Sequence, residues 1–133
     1  VAVDRRHCTA NVLADTRALP FRDDAFDLAV FDPPHTNLGP NSRMSACYGH
    51  LTMPDICDLV CQTSREAARC CRFGGLLALK WSDRDIPLTK VLGLMTEWRP
   101  LFGHGVSYRQ RRAHSTRVST TSWVMMLNRK LPG

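Results

Sequence analysis

The run Ala25-Phe-Asp-Leu-Ala-Val-Phe31 is followed at once by Asp32-Pro-Pro-His35, and this junction constrains the fold more than any other part of the chain. Its apolar half has the length and the β-branched or aromatic character of a strand buried on both faces. Pro33 and Pro34 have no amide hydrogen to give a sheet, so the strand must stop at Asp32. A carboxylate and a rigid turn are thereby set at the end of a strand.

The flanking pattern supplies the rest of a sheet. Val1 to Val3 and Asn11 to Ala14 read as short strands that hand over to Asp4 and Asp15, and residues 19 to 24 form a turn-rich connection. Residues 36 to 51 lack a sustained period and read as a long loop, a common seat of function. Thr52 then caps a helix of about five turns, with Pro54 in its first turn, Asp55 at the capping-box position and Ile56, Leu59, Val60, Ala67 and Cys71 along one face. Gly74-Gly75 is expected to end it.

Leu76 to Trp81 reads as another buried strand, and Pro87 to Trp98 carries Leu88, Val91, Leu92 and Met95 at helical spacing. Leu101 to Val106 and Ser119 to Leu127 are strand-like with no helix between them, which predicts an antiparallel hairpin at the sheet edge. The fold class is therefore α/β: a mostly parallel sheet with helices on both faces and a C-terminal hairpin. Its ligands bind beyond the carboxyl ends of the strands.

At 133 residues and 44% apolar composition, residues 1–133 can bury one core, so a single domain is expected. Eighteen Lys and Arg against twelve Asp and Glu give a formal charge of +6, which favours a polyanionic partner without demanding one. No stretch approaches the roughly 18 apolar residues of a membrane span, and the expected location is cytoplasmic. Of six cysteines, at 8, 47, 57, 61, 70 and 71, four share one helical segment and two are adjacent. That arrangement fits neither a zinc site nor a secreted disulfide frame, so no metal is expected and the thiols read as small buried residues.

The acids are the candidate chemistry. A carboxylate at a strand end can accept both ribose hydroxyls of a nucleotide-like ligand, and a second can accept an adenine amino group. The alternative is that each caps the next turn. In Asp32-Pro-Pro-His35 the Asp32 carboxylate and the Pro33 carbonyl can each take one hydrogen of an aromatic amine while His35 lies against the ring. Lys80 and Trp81 follow a buried strand and either reach the substrate side or, the favoured reading, are a snorkelling lysine beside a core tryptophan. Arg109, Arg111, Arg112 and Arg117, with Tyr108 and His114 among them, form a basic loop that either contacts phosphates or is a solvated hairpin tip.

Leu19-Pro-Phe-Arg-Asp-Asp-Ala-Phe-Asp-Leu-Ala-Val-Phe-Asp-Pro-Pro-His35 resembles the middle of class I S-adenosylmethionine-dependent methyltransferases. The likeness continues through Tyr48-Gly-His-Leu51, the Gly-Gly turn at 74, Leu79-Lys-Trp-Ser82, Pro100-Leu-Phe-Gly-His104 and Thr121-Ser-Trp123. It is similar to a small bacterial and phage-associated branch that carries Asp-Pro-Pro-His and a Lys-Trp strand. The resemblance implies a Rossmann-like sheet and S-adenosyl-L-methionine as cofactor. Asp4 would match the ribose-binding acid, and Asp15 with Thr16 the position beside the cofactor adenine. Asp32, Pro33, Pro34 and His35 would form the catalytic turn of the amino-methyltransferases, with Asp32 also facing the cofactor.

The sequence departs from that family in two places. The turn usually ends in Tyr, Phe or Trp, whereas here it ends in His35, which can stack or bond. No glycine precedes Gly39, so the glycine-rich turn after the first strand is lacking, and the expectation is either a fragment missing its first strand and helix or a degenerate member.

The function implied is methylation of an amino group, foremost on a nucleic-acid base, with DNA favoured over RNA and Arg111 and Arg112 as substrate contacts. Two alternatives stand beside it: a small-molecule or protein methyltransferase, and a non-catalytic nucleic-acid-binding remnant.

Overall fold

The structure is a computed structural model, which describes residues 11–36, 39–40, 45, 49–109 and 118–129. Strand β1 spans Phe26–Phe31, helix α1 Met53–Cys70, strand β2 Cys71–Ser82, helix α2 Leu88–Leu94, strand β3 Trp98–Arg109 and strand β4 Val118–Asn128. The four strands form one sheet in the order β1-β2-β4-β3. The β1–β2 pair is parallel, whereas β2–β4 and β3–β4 are antiparallel, so the described sheet is mixed rather than mostly parallel. The expected C-terminal hairpin forms at its edge, and β4 inserts between β2 and β3. The expected strand Val1 to Val3 lies outside the described residues.

Helix α1 begins as its sequence predicts. The Thr52 amide donates to Asp55 Oδ2 at 2.8 Å and the Asp55 amide donates to Thr52 Oγ1 at 3.4 Å, which satisfies two otherwise orphaned donors. Ile56, Val60 and Ala67 then fall on one face and are buried. They pack with Leu77, Leu79 and Trp81 of β2, Val91 and Met95 of the α2 region, and Val124 and Met126 of β4 in one cluster.

The helix stops at Cys70, before the glycines, and a distant residue takes up one of its last carbonyls together with one just beyond its end. Asn128, fully buried, donates from Nδ2 to Ala68 O and Cys71 O at 2.9 Å each. The chain turns directly into β2, and the glycines serve the strand pairing. Gly74 adopts φ +72°, and between the Phe26–Cys71 and Leu28–Leu76 pairs β2 advances five residues while β1 advances two. A side chain at Gly75 would meet Arg72 O at 2.9 Å and Asp27 O at 3.2 Å, so this bulge needs glycine there.

Two further expectations are corrected. Residues 11 to 14 form no strand; the local pairing is a single bridge between Asp15 and Ala18, a turn too tight to continue a ladder. Strand β1 is not buried on both faces. Ala29 and Phe31 pack against the core, whereas Leu28 and Val30 are 53% and 66% exposed. The cause is that both described helices cover the same face of the sheet. The opposite face, with Leu28, Val30, Phe102 and Trp123, is open among the described residues. Among those residues no helix is long and apolar enough to cross a membrane.

Candidate active site

Asp32 stands just past the carboxyl end of β1, where its neighbour Phe31 pairs with Leu79 of β2. The next residue of β2, Lys80, donates from Nζ to Asp32 Oδ2 at 2.8 Å. Both side chains are partly open to solvent. Lys80 belongs to the open face, and its Nζ lies 6.0 Å from the centre of the Trp123 ring. Sequence reading missed this pairing, because residues 48 positions apart meet only through parallel strand register.

Pro33 is buried, and its carbonyl accepts a hydrogen bond from His35 Nδ1 at 3.0 Å. A carbonyl can only accept, so Nδ1 is assigned as the protonated ring nitrogen. The His35 ring then meets Trp81 edge-on, with centroids 5.8 Å apart. Trp81 is wholly buried on the covered face and donates Nε1–H to Ile86 O at 2.9 Å. Asp32 is thus joined to the open face while His35 is packed against the covered one. The Pro33 carbonyl and the His35 ring, both expected to hold the substrate, each have a partner within the protein, and the carbonyl keeps a second lone pair for another donor.

Asp15 and Thr16 sit on the turn before residue 18. The Arg17 guanidinium holds Asp15 from two nitrogens, at 2.7 Å from Nη2 and 3.0 Å from Nε, and the Arg17 amide adds a bond of 2.9 Å. Those bonds lower the Asp15 carboxyl to about 2. Thr16 Oγ1 lies 3.0 Å from Thr63 Oγ1 and so ties the turn to α1. Asp15 therefore reaches its place from a turn anchored on a helix, and not from a strand end.

A cavity of about 770 Å³ joins these parts. Asp15, Thr16 and Pro34 line it together with Leu51, Asp58 and Leu59, among others. Its size is that of a ligand pocket, and its walls alternate leucine side chains with carboxylates. The structure thus brings Asp15, Thr16 and Pro34 to one cavity, whose lining does not include Asp32, Pro33 or His35. Asp4, Arg111 and Arg112 lie outside the described residues. Among the described residues no three metal-ligating side chains gather, and Cys57, Cys61, Cys70 and Cys71 carry free thiols.

No protein family and no curated protein matches the chain. Solved structures do. A SAM-dependent methyltransferase from Methanosarcina mazei is 12% identical with a TM-score of 0.55, over 87% of this chain and 65% of that one. A putative DNA modification methylase from Thermus thermophilus is 16% identical with a TM-score of 0.59, over 90% and 51%. The [4+2]-cyclase SpnF is 13% identical with the same TM-score, over 89% and 55%. This chain thus spans between half and two-thirds of the proteins it matches. At such identities the likeness is one of fold, and SpnF carries the name of another reaction on that fold. The chain has the α/β, Rossmann-like fold of the S-adenosylmethionine-dependent methyltransferases.

Proposed function

We propose that the chain is a methyltransferase domain that uses S-adenosyl-L-methionine to methylate an amino group on a nucleic-acid base, with DNA favoured over RNA. The observation that carries this reading is the Asp32 carboxylate, held at the end of a parallel strand of a methyltransferase fold and already bonded to a nitrogen donor at 2.8 Å. The Thermus protein of this fold has also been solved in complex with S-adenosyl-L-methionine, which supports the choice of cofactor.

The residues of the cavity fit such a cofactor. Leu51 and Leu59 offer apolar walls for an adenine ring, and Asp15 and Asp58 offer acceptors for amino and hydroxyl groups. Arg17 already places two contacts on each Asp15 oxygen, so a ligand amine or hydroxyl at Asp15 would displace part of that pairing. When bound, the cofactor supplies an electrophilic methyl on a sulfonium. Asp32 would accept a hydrogen from the substrate amine and fix its direction, and the buried Pro33 would keep that carboxylate in place. Positioning of this kind is the main contribution the chain can make.

The test is calorimetric titration of S-adenosylhomocysteine, followed by transfer of labelled methyl groups to DNA, RNA, protein and small amines. Cofactor binding with transfer to DNA, lost in Asp32→Ala, is expected. Binding to DNA without cofactor binding would favour the remnant reading, which the closed Asp15–Arg17 pair supports. Arg111→Ala and Arg112→Ala are expected to weaken DNA binding and flatten its salt dependence.

A further inference from the structure

The register of the sheet puts four chemically different side chains in one row. Lys80 pairs with Trp123 across β2 and β4, and Trp123 pairs with His104 across β4 and β3. Asp32 follows the Phe31–Leu79 pair and so stands level with Lys80. Side chains of paired residues share a face, and this one is the open face. Across it run a carboxylate, an ammonium, an indole that is 47% exposed, and an exposed imidazole. At about 4.8 Å per strand, the Asp32 and Trp123 backbones lie about 10 Å apart with Lys80 between them, a span suited to a bicyclic ring.

We propose, resting on the amino-methyltransferase reading, that Asp32, Lys80 and Trp123 select a flat heterocycle whose amino-bearing carbon is flanked by an unprotonated ring nitrogen. Asp32 accepts from the amino group, Lys80 donates to the ring nitrogen beside it, and Trp123 carries the ring face. A primary ammonium has three donors on a rotatable stem, so Lys80 can hold Asp32 and serve the ring nitrogen together. Adenine and cytosine present this acceptor beside their amino group. Guanine presents a donor, N1–H, on one side of its amino-bearing carbon and an acceptor, N3, on the other, so it can meet the Asp32–Lys80 pair only when turned to its N3 edge. An isolated amine satisfies Asp32 alone.

Trp123, and not His35, is the stacking ring. The His35 ring is engaged by Pro33 and Trp81, on the covered side, whereas Trp123 stands beside the ammonium that bonds Asp32. Base–aromatic stacking tolerates any base, so discrimination falls to the Asp32–Lys80 pair.

The experiment measures equilibrium binding of short single-stranded thymine oligonucleotides to the chain. Each carries one adenine, or one deaza analogue in which the ring nitrogen beside the amino-bearing carbon is CH. The adenine oligonucleotide is expected to bind roughly tenfold more tightly, the weight of one hydrogen bond to a charged group. Lys80→Met should erase that ratio, and Trp123→Ala should weaken both ligands by roughly tenfold while keeping it. Equal binding of the two ligands to the unaltered chain, or no binding of either, overturns the proposal. Discrimination without methyl transfer would uphold it while sinking the enzymatic reading, and methyl transfer without discrimination would do the reverse.

Discussion

The His35 ring donates from Nδ1 to the carbonyl of Pro33, two residues earlier, at 3.0 Å, and so closes the Asp32 turn upon itself. A ring fixed in this way supports the turn from within. His35→Ala is therefore expected to lower methyl transfer by roughly tenfold or less, because it removes one neutral bond and one edge contact. Asp32→Ala should cost roughly a hundredfold or more, as loss of a group that meets the reacting amine does. Single-turnover rates of the two variants check the difference, and equal losses would return His35 to the substrate.

The pairing of Asp15 with Arg17 makes a prediction in pH. The Asp15 carboxyl lies at about 2 in the fold, below its ordinary 3.8, first because Arg17 hydrogen-bonds it. A depressed acid contributes stability above its unfolded value, and that contribution fades as pH falls from about 3.8 through about 2. Arg17→Ala should return the titration of the Asp15 carboxyl carbon, followed by NMR, toward 3.8. No movement would mean that the two side chains do not pair in solution.

Asn128 ties β4 to the end of α1, and its loss should be felt globally. Besides Ala68 and Cys71 it reaches Arg72 O at 3.2 Å, and it has no solvent exposure. Asn128→Leu would bury those carbonyls without their donor, at a cost of about 2–3 kcal/mol. Urea denaturation should show a lower midpoint with an unchanged slope. An unchanged midpoint would mean that the helix end finds other donors.

Much of this was legible in the chain because the signals were local. Thr52 and Asp55 announce the start of α1, and the two prolines announce the end of β1. The hairpin follows from two apolar runs with no helix between them. The end of α1 was not legible, since the amide that settles it belongs to Asn128, far along the chain in β4. For the same reason glycines that looked like a helix stop proved to be a bulge in β2. At the site, the acid and its turn could be read and Lys80 could be weighed for the substrate side, but its bond to Asp32 and its nearness to Trp123 could not be read. Their meeting depends on which strand lies between which, and β4 inserts where sequence order would not put it.

Arg69 is the clamp that holds the segment leading to β1. Its guanidinium donates to Phe21 O at 2.8 Å, Leu19 O at 3.1 Å, Asp23 Oδ1 at 2.6 Å and Glu66 Oε1 at 2.6 Å, while Glu66 Oε1 also accepts from the Leu19 amide at 2.8 Å. The Arg69 fork lowers the Glu66 carboxyl below its ordinary value. A lysine has one nitrogen and no fork, so it cannot span these acceptors. In Arg69→Lys the amides of Leu19 and Asp24, which bond Glu66 Oε1 and Arg69 O, are expected to exchange with deuterium roughly tenfold faster, since local opening no longer breaks a network. The turn bearing Asp15 and Thr16 precedes this segment directly, so binding of S-adenosylhomocysteine should weaken in the same variant. Faster exchange with unaltered binding would separate the clamp from the pocket. Unaltered exchange would show that α1 holds the segment without it.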